Sequence, residues 1–114
     1  MEFRIDYFSN DVEDAILELP DTLAARYIML SRRMIALGPN LGEPHTKAMG
    51  DGLFELRMKG AEGIARVFYC TFVGRRIVLL HSFVKKTQKT PTGELSVAVK
   101  RMKEVKHGQS RTDR

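Results

Sequence analysis

The chain has 114 residues, of which 43% are hydrophobic and 29% are charged, the size and balance of a single globular domain. No apolar run approaches the ~18 residues that span a bilayer, and the first residues lack the layout of a signal peptide, so we expect a cytoplasmic protein with no membrane partner. A single cysteine, Cys70, excludes a disulfide framework and a thiolate metal cluster, and we interpret it as a buried thiol.

Charge is divided unevenly along the chain. Residues 1–56 hold five Lys or Arg and ten Asp or Glu, a net charge of −5, whereas residues 57–114 hold fourteen and four, a net charge of +10. This asymmetry is typical of a protein that binds a polyanion. The alternative is a basic tail on an otherwise indifferent domain, and the position of the charges decides between the two.

The first third of the chain predicts a strand and two helices. Alternating apolar residues over Glu2–Phe8 have the period of a strand. Apolar residues at helical spacing follow, broken by Pro20, and the second helix runs from Asp21 to Gly38. Helices joined by so tight a corner form a hairpin. Residues 39–52 are rich in Gly and Pro and predict a loop.

The rest of the chain predicts three strands and a last helix. The strands are Leu53–Lys59, Ile64–Phe72 and Arg76–Val84, joined by short glycine-containing turns. A helix starts near Thr92, with its apolar stripe reaching Val105. The predicted fold is α+β: N-terminal strand, helical hairpin, three-stranded antiparallel meander and C-terminal helix, with the helices packed on one sheet face. We expect one domain, residues 1–106, and a mobile basic tail, residues 107–114.

Hairpin geometry predicts which side chains share a face of the sheet. The first turn pairs Lys59 with Ile64, and the second pairs Phe72 with Ile77. One face is then apolar and should be covered by the helices: Phe54, Leu56, Met58, Ala65, Val67, Tyr69, Val78, Leu80 and Val84. The other face carries Glu55, Arg57, Lys59, Ile64, Arg66, Phe68, His81, Phe83 and Lys85.

The second face has the composition of a site for single-stranded RNA. Arg57 and Arg66 stand opposite each other, and burying two unpaired arginines would cost several kcal/mol. Arginines interleaved with Phe68 and Phe83 combine phosphate neutralisation with rings on which bases can stack. The alternative is that both arginines pair with acidic residues of the fold.

Three motifs, in this order, resemble the phage-derived, HigB-like branch of the RelE/ParE toxin superfamily. They are Leu53-Phe54-Glu55-Leu56-Arg57, Arg66-Val67-Phe68-Tyr69 and the run from Leu79 to Pro91, and the resemblance covers about residues 2–106. It implies a RelE-like fold and the toxin of a type II toxin–antitoxin pair. It also implies a helix-turn-helix antitoxin, the ribosome and messenger RNA as partners, and a ribosome-dependent endonuclease that uses no metal, cofactor or small-molecule ligand.

The resemblance assigns roles to individual residues. Arg66 matches the strand arginine that stabilises the scissile phosphate, and Arg57 matches an arginine of the preceding strand. Lys85 and Lys86 match the basic pair that ends the last strand. The tyrosine that RelE carries after this pair, and the C-terminal acid–base cluster of some HigB toxins, have no counterpart here. The resemblance therefore leaves the proton-transfer groups unassigned.

His81 and Glu55 are the candidates for proton transfer on this face, because they flank Phe68 and have suitable side chains. The alternatives are a His81 hydrogen-bonded within the fold and a Glu55 paired with Arg57 or Arg66. Residues predicted to contact RNA are Lys59, Lys85, Lys86, Lys89, Phe68 and Phe83, although the lysines could equally form a solvated strand end. His45 and His107 are interpreted as incidental.

Two other functions fit the same fold, because fold does not determine function. One is a ParE-like inhibitor that binds DNA gyrase and has no nuclease activity, which would not require the cations of the sheet. The other is a non-catalytic module that binds RNA or protein. Loss of toxicity on substitution of Arg66 would favour the nuclease over the gyrase inhibitor, and RNA binding without cleavage would identify the non-catalytic module.

Overall fold

A computed structural model describes residues 2–72, 74–85 and 92–109, which form three helices and five strands. In chain order these are β1 (Arg4–Tyr7), α1 (Asn10–Leu17), α2 (Asp21–Leu37), β2 (Thr46–Gly50), β3 (Leu53–Gly60), β4 (Gly63–Phe72), β5 (Arg76–Lys85) and α3 (Thr92–Gln109). This order confirms an α+β fold. No helix in these ranges is long and apolar enough to cross a membrane.

The two N-terminal helices begin and end at residues that suit a helix terminus. The hydroxyl of Ser9 caps α1 by accepting the N–H of Val12 at 3.3 Å. Pro20 precedes α2, where its fixed φ and missing N–H cost nothing. Gly38, at φ +111°, donates its N–H to the carbonyl of Met34 at 2.8 Å and closes α2. The predicted corner at Pro20 therefore joins the two helices.

The five strands in the described residues form one sheet in the order β1-β5-β4-β3-β2. β1 is parallel to β5, and the other neighbours are antiparallel, so the predicted meander of β3, β4 and β5 is confirmed. β2 is an addition, because residues 39–52 were expected to be a loop. Its Thr46 is buried opposite Leu56. The Gly and Pro around this five-residue strand obscured its alternation.

The predicted register is confirmed on one side of a β-bulge and wrong on the other. The first hairpin pairs Lys59 with Ile64 and Arg57 with Arg66, as expected. Beyond it, Phe68 faces His81, but Tyr69 faces Leu79, which leaves Leu80 as the extra residue of the bulge. The second turn accordingly pairs Phe72 with Arg76 and Thr71 with Ile77, instead of Phe72 with Ile77. The extra residue shifts the pairing by one, so the β5 residues before it point to the face opposite the one predicted for them.

The helical hairpin covers one face of the sheet. Residues at helical spacing on α1 and α2, among them Ile16, Leu23, Leu30 and Met34, are no more than 1% exposed. They pack on sheet residues Leu56, Met58, Ala65, Val67, Tyr69, Ile77 and Leu79. Most of these were predicted for this face.

The C-terminal helix covers the opposite face, which corrects the expectation that all helices share one face. Its Ala98 and Met102 pack in a second cluster with Leu53, Phe68, Cys70, Val78 and Leu80. Val78 and Leu80 were predicted to lie under the helical hairpin, and the β-bulge places them here instead. Because this part of the second face is apolar, a further layer must shield it from water.

The helix α3 is longer than predicted. It continues through His107 to Gln109, so the expected tail, residues 107–114, begins inside the helix. Residues 110–114 lie outside the described residues. Cys70 is fully buried, and burial raises the pKa of its thiol to about 11, which agrees with its interpretation as a structural thiol.

Candidate nucleic-acid interface

The face under α3 changes character along its strands. Its apolar end, defined as Leu53, Phe68, Cys70, Val78 and Leu80, is the part buried with α3. Its charged end, defined as Glu55, Arg57, Lys59, Arg66 and Lys85, lies on the same strands toward the first hairpin. Charged side chains on a sheet face next to a covered core need either partners or a ligand.

Glu55 is the centre of the charged end. This residue is 1% exposed, and its Oε1 accepts hydrogen bonds from Arg66 Nη1 at 2.7 Å and from Arg57 Nε at 3.1 Å. The carboxylate therefore offsets the repulsion between two arginines that stand opposite each other in the ladder. This is the ion-pair alternative considered for Glu55, and it makes the residue an anchor for both guanidinium groups.

The two arginines differ in how firmly they are held. Arg66 is 8% exposed, and its Nε is buried with no hydrogen-bond partner within the described residues. The side chain of Arg57 is 27% exposed and also lies 3.6 Å from Oε1 of Glu43, a loop carboxylate that is itself 67% exposed. An exposed pair of this length contributes little stability. An incoming anion could therefore replace Glu43 at Arg57 at little cost.

A groove of about 550 Å³ opens beside these arginines. Its walls come from α2, the loop before β2, and strands β3 and β4. The lining residues are Arg26, Pro44, His45, Arg57, Met58, Lys59, Gly60, Ala61, Ile64 and Arg66. The groove brings three residues predicted for the site, Arg57, Arg66 and Lys59, to one surface.

Two basic residues of this groove, Arg26 and His45, were not predicted from the sequence to belong to the site. Arg26 lies on the exposed side of α2, where a helical arginine has no distinguishing pattern. His45 was interpreted as incidental because it falls in the expected loop. Its carbonyl accepts the N–H of Arg57 at 2.8 Å, so the β2–β3 pairing is what fixes it beside the site. Had the sequence been read to predict β2, its pairing with β3 would have placed His45 beside Arg57.

Lys85 ends β5 opposite Ile64 and is 6% exposed. Burial lowers the pKa of its ammonium group, and the positive charge of Arg66 adds to this, while Glu55 acts in the opposite direction. A buried lysine beside two arginines is a local concentration of positive charge. Lys86 and Lys89, also predicted to bind RNA, lie outside the described residues.

His81 and Phe83 lie at the boundary of the apolar end, next to Phe68. His81 Nε2 lies 2.5 Å from Oε1 of Glu94 on α3, which is the within-fold hydrogen bond considered as the alternative. Phe68 is fully buried, with Phe83 stacked on it at 5.8 Å between ring centres. The prediction that Phe68 stacks on bases is therefore wrong, because its ring has no free face. Phe83 is only partly buried and keeps that role as a prediction.

Basic residues of α3 tie the helix to the sheet. Arg101 donates from Nη1 to the Leu80 carbonyl at 2.9 Å, with its guanidinium over the ring of Phe8. Lys106 donates to the Asp51 carbonyl at 3.3 Å. Within residues 2–72, 74–85 and 92–109, no three His, Cys, Asp or Glu side chains are grouped closely enough to hold a metal ion.

Comparison with known proteins adds a family and a fold. Residues 14–103 match the family described as "Phage derived protein Gp49-like (DUF891)". A solved structure of the E. coli toxin RelE, a double mutant in the free state, superposes with a TM-score of 0.64 at 12% identity, covering 89% of this chain and 98% of RelE. No curated protein matches the sequence. The predicted RelE-like fold is confirmed.

Proposed function

Since the chain belongs to the phage-derived Gp49-like family, a family of RelE-like toxins, we propose that this toxin of a toxin–antitoxin pair cleaves messenger RNA on the ribosome. The observation that carries the proposal is the pair of arginines held by one buried carboxylate at the edge of a groove. A helix-turn-helix antitoxin, the ribosome and mRNA are its proposed partners, and the cytoplasm is its proposed location.

The proposed reaction uses the substrate's own 2′-hydroxyl as nucleophile. The 2′-oxygen attacks the adjacent phosphorus, the bond from phosphorus to the 5′-oxygen breaks, and a 2′,3′-cyclic phosphate forms. Negative charge accumulates on the phosphorane oxygens in between. In this proposal Arg66 and Arg57 stabilise that charge, and each such preorganised group typically contributes about 10²–10³ in rate.

The remaining cations serve binding rather than chemistry in this proposal. Lys59 and Arg26 line the same groove, and Lys85 lies beside Arg66, so all three are near the path of flanking phosphates. Phe83 offers the exposed part of its ring to a base. Glu55 keeps both arginines oriented and makes no contact with RNA, so it acts as a positioning residue.

The test is primer extension on an mRNA, with and without translating ribosomes. We expect wild type to cut only translated mRNA, and Arg66→Ala to lose cutting by about 10²–10³. Arg32→Ala is the matched control, because Arg32 is exposed on α2 and outside the groove. Thermal unfolding of each variant establishes that it is folded.

Each result separates the candidate functions. Cuts that require ribosomes and disappear with Arg66 support the nuclease. Toxicity without RNA cleavage, retained in Arg66→Ala, would contradict it and favour a gyrase inhibitor. Binding of RNA without cleavage under any condition would indicate the non-catalytic module.

A further inference from the structure

We propose that His45 is the general base of this site, taking the proton of the attacking 2′-hydroxyl, an inference that rests on the nuclease activity proposed above. The sequence pointed to His81 and Glu55 for proton transfer. Both have other tasks in the fold, since His81 contacts Glu94 and Glu55 contacts Arg57 and Arg66. Proton transfer in the proposed reaction is therefore assigned to another side chain of the groove.

The backbone at His45 is fixed from both sides. Its N–H donates to the carbonyl of Gly42 at 3.0 Å, and its own carbonyl accepts from Arg57 at 2.8 Å. The next residue, Thr46, is buried, and its hydroxyl accepts the N–H of Gly42 at 2.8 Å. His45 is thus held at the entry to an ordered strand, directly beside the arginine of the proposed site.

The imidazole itself has no task in the fold. His45 is partly exposed and lines the groove with Arg57 and Arg66. Its side chain makes no hydrogen bond or ion pair with any residue that the structure describes. With no partner among the described residues and a position in the groove, the imidazole is available to take a proton from a bound substrate.

The chemistry of the groove lining selects the same residue. A general base needs a side chain that accepts a proton at neutral pH. Arginine and protonated lysine have no acceptor, which excludes Arg26, Arg57, Lys59 and Arg66 from this role. The other lining residues, Pro44, Met58, Gly60, Ala61 and Ile64, offer no basic group. Of the groove lining in the described residues, His45 alone carries an acceptor nitrogen suited to proton abstraction.

The proton balance of the step is simple. The unprotonated nitrogen of His45 takes the proton as the bond from the 2′-oxygen to phosphorus forms. The bond from phosphorus to the 5′-oxygen then breaks, and water supplies the proton that this oxygen needs. The hydroxide left behind is neutralised by the imidazolium proton, which regenerates the base.

The test measures single-turnover cleavage of a short synthetic mRNA on purified ribosomes. We expect His45→Gln to lower the cleavage rate by about 10²–10⁴, the usual contribution of acid–base catalysis. His107→Gln, at an exposed histidine of α3, is the matched control and keeps the wild-type rate. Thermal unfolding and ribosome binding of His45→Gln should match wild type, because the backbone contacts of residue 45 are kept. Added imidazole should restore part of the rate to His45→Gly.

A second substrate distinguishes a base from an acid. In an mRNA with sulfur in place of the bridging 5′-oxygen, the leaving group departs without a proton. A general base stays necessary, so His45→Gln should remain slow on this substrate. Recovery of its rate to that of wild type would overturn the assignment as base, as would a wild-type rate on the ordinary mRNA.

The two proposals fail in different ways. A wild-type protein that cleaves normally together with an equally active His45→Gln overturns only the role of His45. A wild-type protein that does not cleave mRNA on ribosomes overturns the nuclease, and the role of His45 with it.

Discussion

The apolar end and the charged end of the second sheet face are built on the same strands, yet they have opposite surroundings. Phe68 and Arg66 are two residues apart on β4 and point to the same side. Phe68 is covered by α3 and Phe83, whereas Arg66 meets a buried carboxylate and a groove. The same strand therefore contributes Phe68 to the core and Arg66 to the candidate site.

This difference shows that the last helix sets the boundary of the site. Its buried residues Ala98 and Met102 lie against the apolar end, and its Glu94 reaches His81 at the boundary. The charged end therefore lies on strands whose adjoining residues are buried in the core under α3. Rigid support of this kind holds cationic groups in place before the substrate arrives.

The largest expected effect tests the apolar end. Phe68→Ala should lower the free energy of unfolding by about 3–5 kcal/mol, because it removes a fully buried ring and leaves a cavity under α3. Phe83→Ala, at a partly exposed ring stacked on the same residue, should cost less than half as much. Urea denaturation measures both. Equal losses would mean that the two rings do not belong to differently covered parts of the face.

The next effect tests the charged end. Glu55→Gln should lower the free energy of unfolding by about 3 kcal/mol, because breaking a buried ion pair leaves Arg66 uncompensated. Adding Arg66→Met to this variant should recover part of the lost free energy of unfolding, because the unpaired positive charge of Arg66 is then removed. The urea midpoints of the single and double variants measure this. A double variant less stable than Glu55→Gln would contradict the central role of the carboxylate.

Much of this comparison was predictable from the sequence. Short glycine-containing turns define hairpin register, so the opposition of Arg57 to Arg66 and of Glu55 to Phe68 followed from turn length alone. His81 does lie opposite Phe68, although the pairing of Phe72 with Ile77 from which this was predicted is wrong, because the β-bulge at Leu80 offsets that error by one residue. Local patterns determine local pairings, because a turn constrains only the strands that it joins.

What failed depended on the rest of the molecule. A β-bulge has no sequence marker at Leu80, yet it moved Val78 and Leu80 to the other core. Whether an apolar stripe on α3 covers one face or the other is a matter of tertiary packing that periodicity does not encode. The same holds for His45, whose place in the groove depends on the pairing of β2 with β3.

A smaller effect tests the boundary between the two ends. Glu94→Gln should lower the free energy of unfolding by about 1 kcal/mol, because it weakens the contact of α3 with the partly exposed His81. Glu104→Gln, at an exposed residue of the same helix, is the control and should change stability by a few tenths of a kcal/mol at most. Equal changes in urea midpoint would show that the boundary contact contributes nothing specific.

The smallest effect concerns Lys85, and its sign depends on pH. Burial and the charge of Arg66 lower the pKa of this lysine in the folded protein below its unfolded value of about 10.4. At neutral pH the folded state therefore carries a disfavoured charge, and Lys85→Met should raise the urea midpoint. As pH rises through the folded pKa, the unfolded chain binds more protons than the native one, so wild type gains stability relative to the variant.

The advantage of Lys85→Met should consequently be largest near pH 7 and shrink steadily toward pH 10. Lys103→Met, at an exposed position on α3, provides the control, and its difference from wild type should stay nearly constant over the same range. If the advantage of Lys85→Met instead grew with pH, the ammonium group would be stabilised by its neighbours. A phosphate would then not be needed to offset a disfavoured positive charge at this end of the sheet face.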